Sequence, residues 1–460
     1  MWDAEVDVIV AGGGGCGLVA ALAAAEKGLE VAIFEKTEFL LGNTAASAGM
    51  IPAAGTRFQR ELGIVETPEE MAEDILKKNH YESDPDLTLA VCKASAPLVE
   101  WIHDSLSIEM SLVEEFKYPG QRNYRMHAPP SRSGLELMKK LRKNVADRDN
   151  IFLMMKSQVT ELILGDNQKV IGVVTESDGN TQRIKAKKVI LATNGFGGDK
   201  QMVQRYIPEI SEAIYFGYEA NTGDGIKMGL QAGAAAENMT AYQGHSAVNE
   251  GSGLLVTWGT IMMGGFMVNV SGNRFENETM GYSEFAVEVL KQPEKCGFLI
   301  FDQAIYDSLL SIEDFKNLSE TTAFKKADTM EELGERLRID PASLAETFGC
   351  FQRNENGQQD EFKRNSFEKK LETPYYGVKV VPALFHTQGG LKINENAQVL
   401  DEQGRIIENL YAGGGAAVGV SGRHAYGYMS GNGLLAALGF GKIAGEHAAK
   451  TITDEQGVAK

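Results

Sequence analysis

The stretch VDVIVAGGGGCGLVAALAAAEKGLEVAIFEK, residues 6–36, decides the fold. Residues 6–10 form a β-branched run, apolar apart from Asp7, suited to a strand buried on both faces. The run ends in glycines, and Gly12, Gly14 and Gly17 meet the GxGxxG spacing. An alanine-rich helix follows over residues 18–27, Gly28 ends it, and EVAIFEK is a second strand closing on Glu35. Glycines between strand and helix, with an acid roughly 20 residues on, make the dinucleotide-binding fingerprint of a doubly wound α/β fold. Bare backbone lets a pyrophosphate approach, the helix start supplies partial positive charge, and Glu35 can hold a ribose diol. The plain alternative, a glycine-rich turn with no ligand, does not account for strand, helix and acid together.

The rest of the chain extends this reading. LLGNTAASAGM, residues 40–50, is a loop of small residues just past the ribose-binding acid. It suits a bulky flat cofactor with backbone contacts beyond the pyrophosphate, which favours FAD over NAD. KKVILATNGFGG (187–198) and NLYAGGGAAVG (409–419) are two further strand-to-glycine turns, as one cofactor domain split by an insertion requires.

The chain has 460 residues, a formal net charge of −18 and 43% hydrophobic residues. Interspersed acids and bases argue against a nucleic-acid partner, which wants a basic face. Cys16, Cys92, Cys296 and Cys350 have no metal-ligand or redox spacing and no CxxCH motif occurs, so they read as buried reduced thiols and no metal is expected. No segment has the ~18 apolar residues of a membrane span, and no secretory signal pattern opens the chain. The reading is cytoplasmic, with no membrane span.

At this point the sequence resembles the flavoproteins of the fumarate reductase and 3-oxosteroid dehydrogenase group. The motifs are the first fingerprint, GNTAASAGM, ATNGFGG, NTGDGIKMGLQAGA (221–234), VNVSGNRFENE (268–278), YYGVKVVPALFHTQGGLKIN (375–394) and NLYAGGG. The resemblance implies a Rossmann-type FAD domain built from residues 1–247 and 381–460. An α+β capping domain is inserted at 248–380, with substrate between cap and flavin. It places cofactor contacts at Gly12, Gly14, Gly15, Cys16, Gly17, Glu35, Lys36, Asn43, Thr44, Ala46, Ser47, Gly49, Thr193, Asn194, Asp224, Gly413, Gly414, Gly433 and Leu434. Membrane-bound members attach FAD through a histidine near the position of Asn43, so the FAD is expected to be non-covalent.

Two departures bear on the reaction. Fumarate reductases carry a proton-donating arginine where RFENETMGYSE has Tyr282, and a ribitol-binding glutamate where this chain has Gly415. The segment VGVSGRHAYGYMSGNG resembles instead the AVGI…YVSG signature of 3-oxosteroid 4-dehydrogenases, which also use a tyrosine at the Tyr282 position. By that resemblance Tyr428 polarises a ketone, Ser430 and Tyr282 relay the α proton, and the N–H groups of Gly431 or Gly433 can help hold an oxyanion. A phenol of pKa about 10 is a poor base at neutral pH, so the relay needs activation or a path to solvent. Tyr428 and Ser430 are expected on one side of an extended segment, before a helix aimed at the flavin.

The reading that follows is an FAD-dependent desaturase. It turns a cyclic ketone, a 3-oxosteroid or a smaller oxo-cyclohexane with or without a carboxylate to pair with Arg423, into the α,β-unsaturated ketone, with oxygen, a quinone or a dye as external acceptor. The alternative is a reductase of an unsaturated carboxylate such as fumarate or urocanate. His386 matches a family histidine near flavin and substrate, and is equally readable as structural. His245 falls near a substrate histidine, and Arg423 is a candidate carboxylate grip. Tyr426 reads as structural. In IMMGGFMV, Met262, Met263, Phe266 and Met267 read as core or as an apolar pocket. Arg122, Arg125, His127 and Arg132 read as a solvated loop, with an anion grip as the lesser reading. Residues 311–372 read as charged and helical, and TITDEQGVAK, 451–460, as a frayed tail.

Overall fold

The computed structural model describes the chain except residues 116, 356–359, 365–369 and 459–460. Parts of the charged 311–372 segment and of the tail thus lie outside the described residues. The chain forms two compact units. The first comprises Met1–Ile207, Gly217–Tyr242 and His386–Lys460, the second Pro208–Phe216 and Gln243–Phe385. These divisions differ by a few residues from 247/248 and 380/381. Pro208–Phe216 joins the second unit because its strand Ile214–Tyr215 pairs in parallel with Tyr375–Thr387, Ile214 opposite Ala383.

The first unit is built on a parallel sheet. β1 (Ala4–Ala11) leads through the glycines into α1 (Gly15–Ala25), and β2 (Val31–Glu35) follows. Five core strands run in the order Ile406–Ala412, Asn180–Leu191, β1, β2, Ile151–Met155, each neighbouring pair parallel, and antiparallel strands extend the same sheet at Gln398–Leu400, Gln158–Leu164 and Val170–Ser177. A buried parallel sheet explains why Val8–Ala11 of β1 and Val31–Phe34 of β2 are unbroken apolar runs rather than alternating ones. Ala11 is level with Leu191 and Phe34, and Leu191 with Ala412. The strands therefore end together, and three glycine turns leave the sheet at one edge. The carboxyl edge of such a sheet is where a doubly wound fold holds its ligand.

The last helix, Asn432–Val458, packs on α1. A Cβ added to Gly441 would lie 2.6 Å from the Cys16 carbonyl oxygen, and one added to Gly445 2.3 Å from that of Ala20. Glycine at both positions lets the two backbones touch. This helix also absorbs the described part of the expected frayed tail. Glu455 pairs with Lys188 at 2.9 Å, and Thr451 lies 3.5 Å from the Tyr411 hydroxyl.

The second unit is a mixed sheet whose central strand Tyr375–Thr387 pairs antiparallel with Gly297–Asp302, which pairs in turn with Phe266–Val268. Helices over Glu313–Ser319, Met330–Leu337 and Pro341–Glu355 occupy the charged segment. Phe266 and Met267 belong to its buried core, with Met262 and Met263 packed against it, so the core reading of IMMGGFMV holds. The RFENE motif is structural in this unit. Glu278 and Asp360 hold Arg274 at 2.7 and 2.6 Å, and Arg364 reaches Glu278 at 3.4 Å, all buried.

Candidate active site

The cofactor fingerprint fits a dinucleotide on geometric grounds. Gly12 has φ +106°, a conformation open to glycine, and its missing Cβ would strike the Ala192 carbonyl at 2.4 Å. At Gly17 a Cβ would lie 1.9 Å from the Gly12 oxygen. At Gly14 it would meet nothing within 4 Å. Two of the glycines therefore exist for the fold, and the third leaves space. Gly14 also caps α1 without a side-chain hydrogen bond, so the first N–H groups of α1 have no side-chain acceptor from the cap. Open backbone at a helix start is the environment a pyrophosphate needs.

Glu35 is oriented at the end of β2. One carboxylate oxygen accepts from the Gly13 N–H at 2.9 Å, the other from the Thr37 N–H and hydroxyl. Lys36 and Asp224 pair with each other at 2.8 Å, and Lys36 also reaches Thr222. Asn43 accepts from the Tyr218 N–H and the Asn221 amide, both at 2.8 Å. Thr44 crowds Gly15. Ser47 donates to the Thr44 carbonyl and accepts from the Gly49 N–H, and Ala46 ends the short helix Gly42–Ala45. Thr193 accepts from the Gly225 N–H, and Asn194 takes φ +63° to turn the chain. Gly413 and Gly414 lie over Cys16, and Gly415 lies where a Cβ would strike Asn194. The turns after three strands thus surround the start of α1. Burial pushes the Cys16 thiol up to about 12, which leaves it a packing group rather than a nucleophile. Cys350 is half-buried, a departure from the buried reading.

Two of the expected catalytic residues meet in the same unit. Tyr428 is buried, follows the short turn Ala425–Gly427, and has extended backbone. His386 lies at the end of the strand Tyr375–Thr387. Their rings stand 5.7 Å apart and near-perpendicular, at 75°. Gly433, in the first turn of the last helix, lies between them. A Cβ there would come within 2.6 Å of His386 Nε2 and 3.5 Å of the Tyr428 hydroxyl. Glycine at 433 is what lets the imidazole reach the helix start. Desolvation holds His386 at about 4, so it is neutral at physiological pH.

The segment turns rather than running straight past Tyr428. Gly431 has φ +92°, and a Cβ there would lie 2.7 Å from Pro52 and 2.9 Å from Met126. The buried Ser430 gives its carbonyl to the Gln121 amide at 3.3 Å. Leu434 follows in the helix. Arg423 is exposed, and its backbone N–H donates to Glu82 at 3.1 Å while its carbonyl accepts from Thr240. Tyr426 donates to Glu82, which makes it a packing residue of the same corner.

The arginine loop is not a solvated surface throughout. Arg125 and His127 are buried. Arg125 is held by Glu66 and Asp74, Arg122 by Asp74 at 2.9 Å, and Arg132 by Glu115. Each guanidinium already has a carboxylate, so the loop offers no ready anion grip.

Tyr282 and His245 come together in the second unit. Gly281 takes φ +128° and ψ 146°, a conformation reserved for glycine, to start the helix Tyr282–Leu290. Ser246 donates to the Tyr282 carbonyl at 2.6 Å, and Ser283 accepts from the Gly244 N–H at 3.0 Å. These bonds hold Tyr282 beside His245, whose ring stacks on it at 4.6 Å and on Phe385 at 5.1 Å. His245 is neutral, lowered by burial to about 3, and its Nδ1 accepts from the Ala247 N–H. Trp258, edge-on to His245, was not singled out by sequence, nor were Gln388 beside His386 and, behind it, Ser421 and Asn432. The last three lie within or beside quoted motifs, but no spacing rule marks them.

Among the described residues, no group of three or more histidines, cysteines or acids is placed to hold a metal. Among the described residues, no helix is long and apolar enough to cross a membrane.

Comparison with known proteins agrees with this geometry. Residues 7–434 match the FAD binding domain family. A probable fumarate reductase, Ifc3, of Shewanella frigidimarina is 32% identical over 453 residues, 97% of this chain and 75% of that protein. The open conformation of a flavocytochrome c3 fumarate reductase superposes with TM-score 0.82 at 32% identity, covering 98% of this chain and 79% of the other. A 3-ketosteroid-Δ4-(5α)-dehydrogenase from Rhodococcus jostii RHA1 superposes with TM-score 0.77 at 25% identity, covering 98% of both chains. The chain belongs to the FAD binding domain family and is an FAD-dependent oxidoreductase with fumarate reductases among its relatives.

Proposed function

We propose that the protein is a desaturase of a cyclic ketone, using FAD to introduce a double bond next to the carbonyl. The observation that carries this reading is the charge of the candidate residues. Tyr428, Ser430, His386 and Gly433 include no cation at neutral pH, because His386 is held uncharged. A dicarboxylate asks for paired guanidinium or ammonium groups. A ketone asks for neutral donors that strengthen as its oxygen becomes an enolate.

The chain's residues divide the work. The Tyr428 hydroxyl donates to the carbonyl oxygen, and His386 Nε2 and the open backbone at Gly433 stand beside it. The α proton leaves through Ser430, in the relay role that the resemblance gives it. Bound FAD supplies the acceptor for the hydride that leaves the β carbon. Ketone and oxidised cofactor thus become enone and reduced cofactor, and an external acceptor, oxygen, a quinone or a dye, completes turnover. The exposed Arg423 has no part in this scheme for a neutral ketone.

The second reading, a reductase of an unsaturated carboxylate, is favoured by the 32% identity to a fumarate reductase across nearly the whole chain. Against it stand Tyr282 in place of an arginine and the neutral histidines. The two readings part on Tyr428→Phe. Loss of one oxyanion donor lowers kcat for a cyclic ketone by about 100- to 1,000-fold. Unchanged ketone turnover in this variant, or wild-type turnover confined to fumarate, would overturn the proposal.

A further inference from the structure

A chain of buried side chains runs from the start of the last helix to His386. The Asn432 amide donates to Ser421 Oγ at 3.1 Å. Ser421 donates to Gln388 Oε1 at 2.8 Å, and Gln388 Nε2 lies 3.0 Å from His386 Nδ1. Ser421, Gln388 and Asn432 are all at least nine-tenths buried. The direction of the chain is internally consistent. Ser421 accepts from Asn432, so its own hydrogen goes to Gln388, whose oxygen is thereby turned towards the serine and whose N–H groups are turned towards the imidazole. Gly419 holds the same glutamine from the other side, donating its N–H to the Gln388 carbonyl at 2.8 Å.

A competing acceptor makes the arrangement a choice. The Thr387 carbonyl lies 3.3 Å from the same Nδ1. It would draw a proton onto Nδ1 if nothing opposed it. A neutral imidazole carries one N–H, and the partner of one nitrogen sets the state of the other. The state of Nε2 is what matters, because Nε2 is the nitrogen that faces Gly433 and Tyr428.

We propose that Gln388, itself oriented by Ser421 and Asn432, is a positioning residue that denies Nδ1 a proton and so keeps Nε2–H as a donor beside Tyr428. The tautomer follows from the geometry alone, and only its catalytic consequence rests on the ketone reading. The device needs no charge, which suits a site whose donors are neutral.

The test separates these two layers. The holoenzyme is prepared with nitrogen-labelled histidine, and His386→Asn identifies the ring signals of His386. Wild type is expected to show a bare Nδ1 and a protonated Nε2. Gln388→Met keeps length but removes the donor, and the proton is expected to move to Nδ1 under the pull of Thr387. Gln388→Glu keeps the Ser421 bond and presents only acceptors to the ring, so it is expected to give Nδ1–H as well. It serves where the methionine variant fails to fold. Wild type with Nδ1–H, or Nε2–H retained in Gln388→Glu, would overturn the assignment. With a cyclic ketone, Gln388→Glu is expected to lower kcat about 100-fold and to change KM far less. A moved proton with unchanged kcat would leave the tautomer assignment standing and overturn the donor role of His386.

Discussion

The contrast between Gly14 and Gly17 can be measured separately in fold and cofactor. Gly14 has φ −72° and ψ −178°, ordinary extended backbone that alanine adopts freely, and a Cβ there touches nothing. Gly14→Ala therefore leaves the apoprotein no less stable, and a restricted unfolded chain adds about 0.4–1 kcal/mol. Gly17→Ala sets a Cβ 1.9 Å from a backbone oxygen that cannot move without shifting β1. Overpacking costs about 1–3 kcal/mol, and a backbone clash belongs at the upper end. Cofactor affinity runs the other way for Gly14. A methyl group in the one open place above the turn displaces a charged group from the N–H donors of α1. A hydrogen bond to a charged group contributes about 1.5–3 kcal/mol, so FAD binds about 10- to 100-fold more weakly. Urea unfolding of the two apoproteins and titration of each with FAD, followed by flavin fluorescence, give both quantities. The reasoning is refuted if Gly14→Ala loses as much stability as Gly17→Ala, or binds FAD as wild type does.

Two further predictions concern stability. His127 and His386 are lowered to about 4 and His245 to about 3, all from an ordinary 6.5 and all by burial. Between about 6.5 and 4 the unfolded chain binds protons that the folded chain refuses, so stability is full above 6.5 and falls as pH drops through this window. Urea midpoints at pH 7.5 and pH 5 check it, and equal midpoints would show the histidines are not buried neutral. Glu278→Gln leaves Arg274 and Arg364 short of a carboxylate in the core of the second unit. Breaking a buried pair costs about 3–5 kcal/mol, and a cost below about 1 kcal/mol by chemical unfolding would contradict the network.

Much of this was legible because it is local. Glycines 12–17, the helix behind them and Glu35 are contiguous, and their spacing reports backbone approach directly. The final helix was legible where alanines and glycines repeat, but not at 451–458, where Lys188 on a distant strand supplies a partner for Glu455. Arg125 and His127 looked like surface because their acids, Glu66 and Asp74, and the Thr56 partner of His127 lie more than fifty residues away. Tyr428 and His386 were picked out by motif. The glutamine that orients His386 was not, because its meaning depends on Ser421 and Asn432, brought to it by turns that no periodicity encodes. Arg423 read as a grip from its place in the chain alone, and the fold leaves it exposed with its backbone tied to Glu82.

The central claim is that a cyclic ketone, held at its carbonyl by neutral donors, is the electron donor. The direct measurement is anaerobic mixing of the FAD-loaded protein with a 3-oxosteroid, a 4-oxocyclohexane carboxylate and succinate, following the flavin absorbance. The account predicts bleaching by at least one of the two ketones and none by succinate. No bleaching by either ketone, together with reoxidation of the dithionite-reduced protein by fumarate, would contradict it.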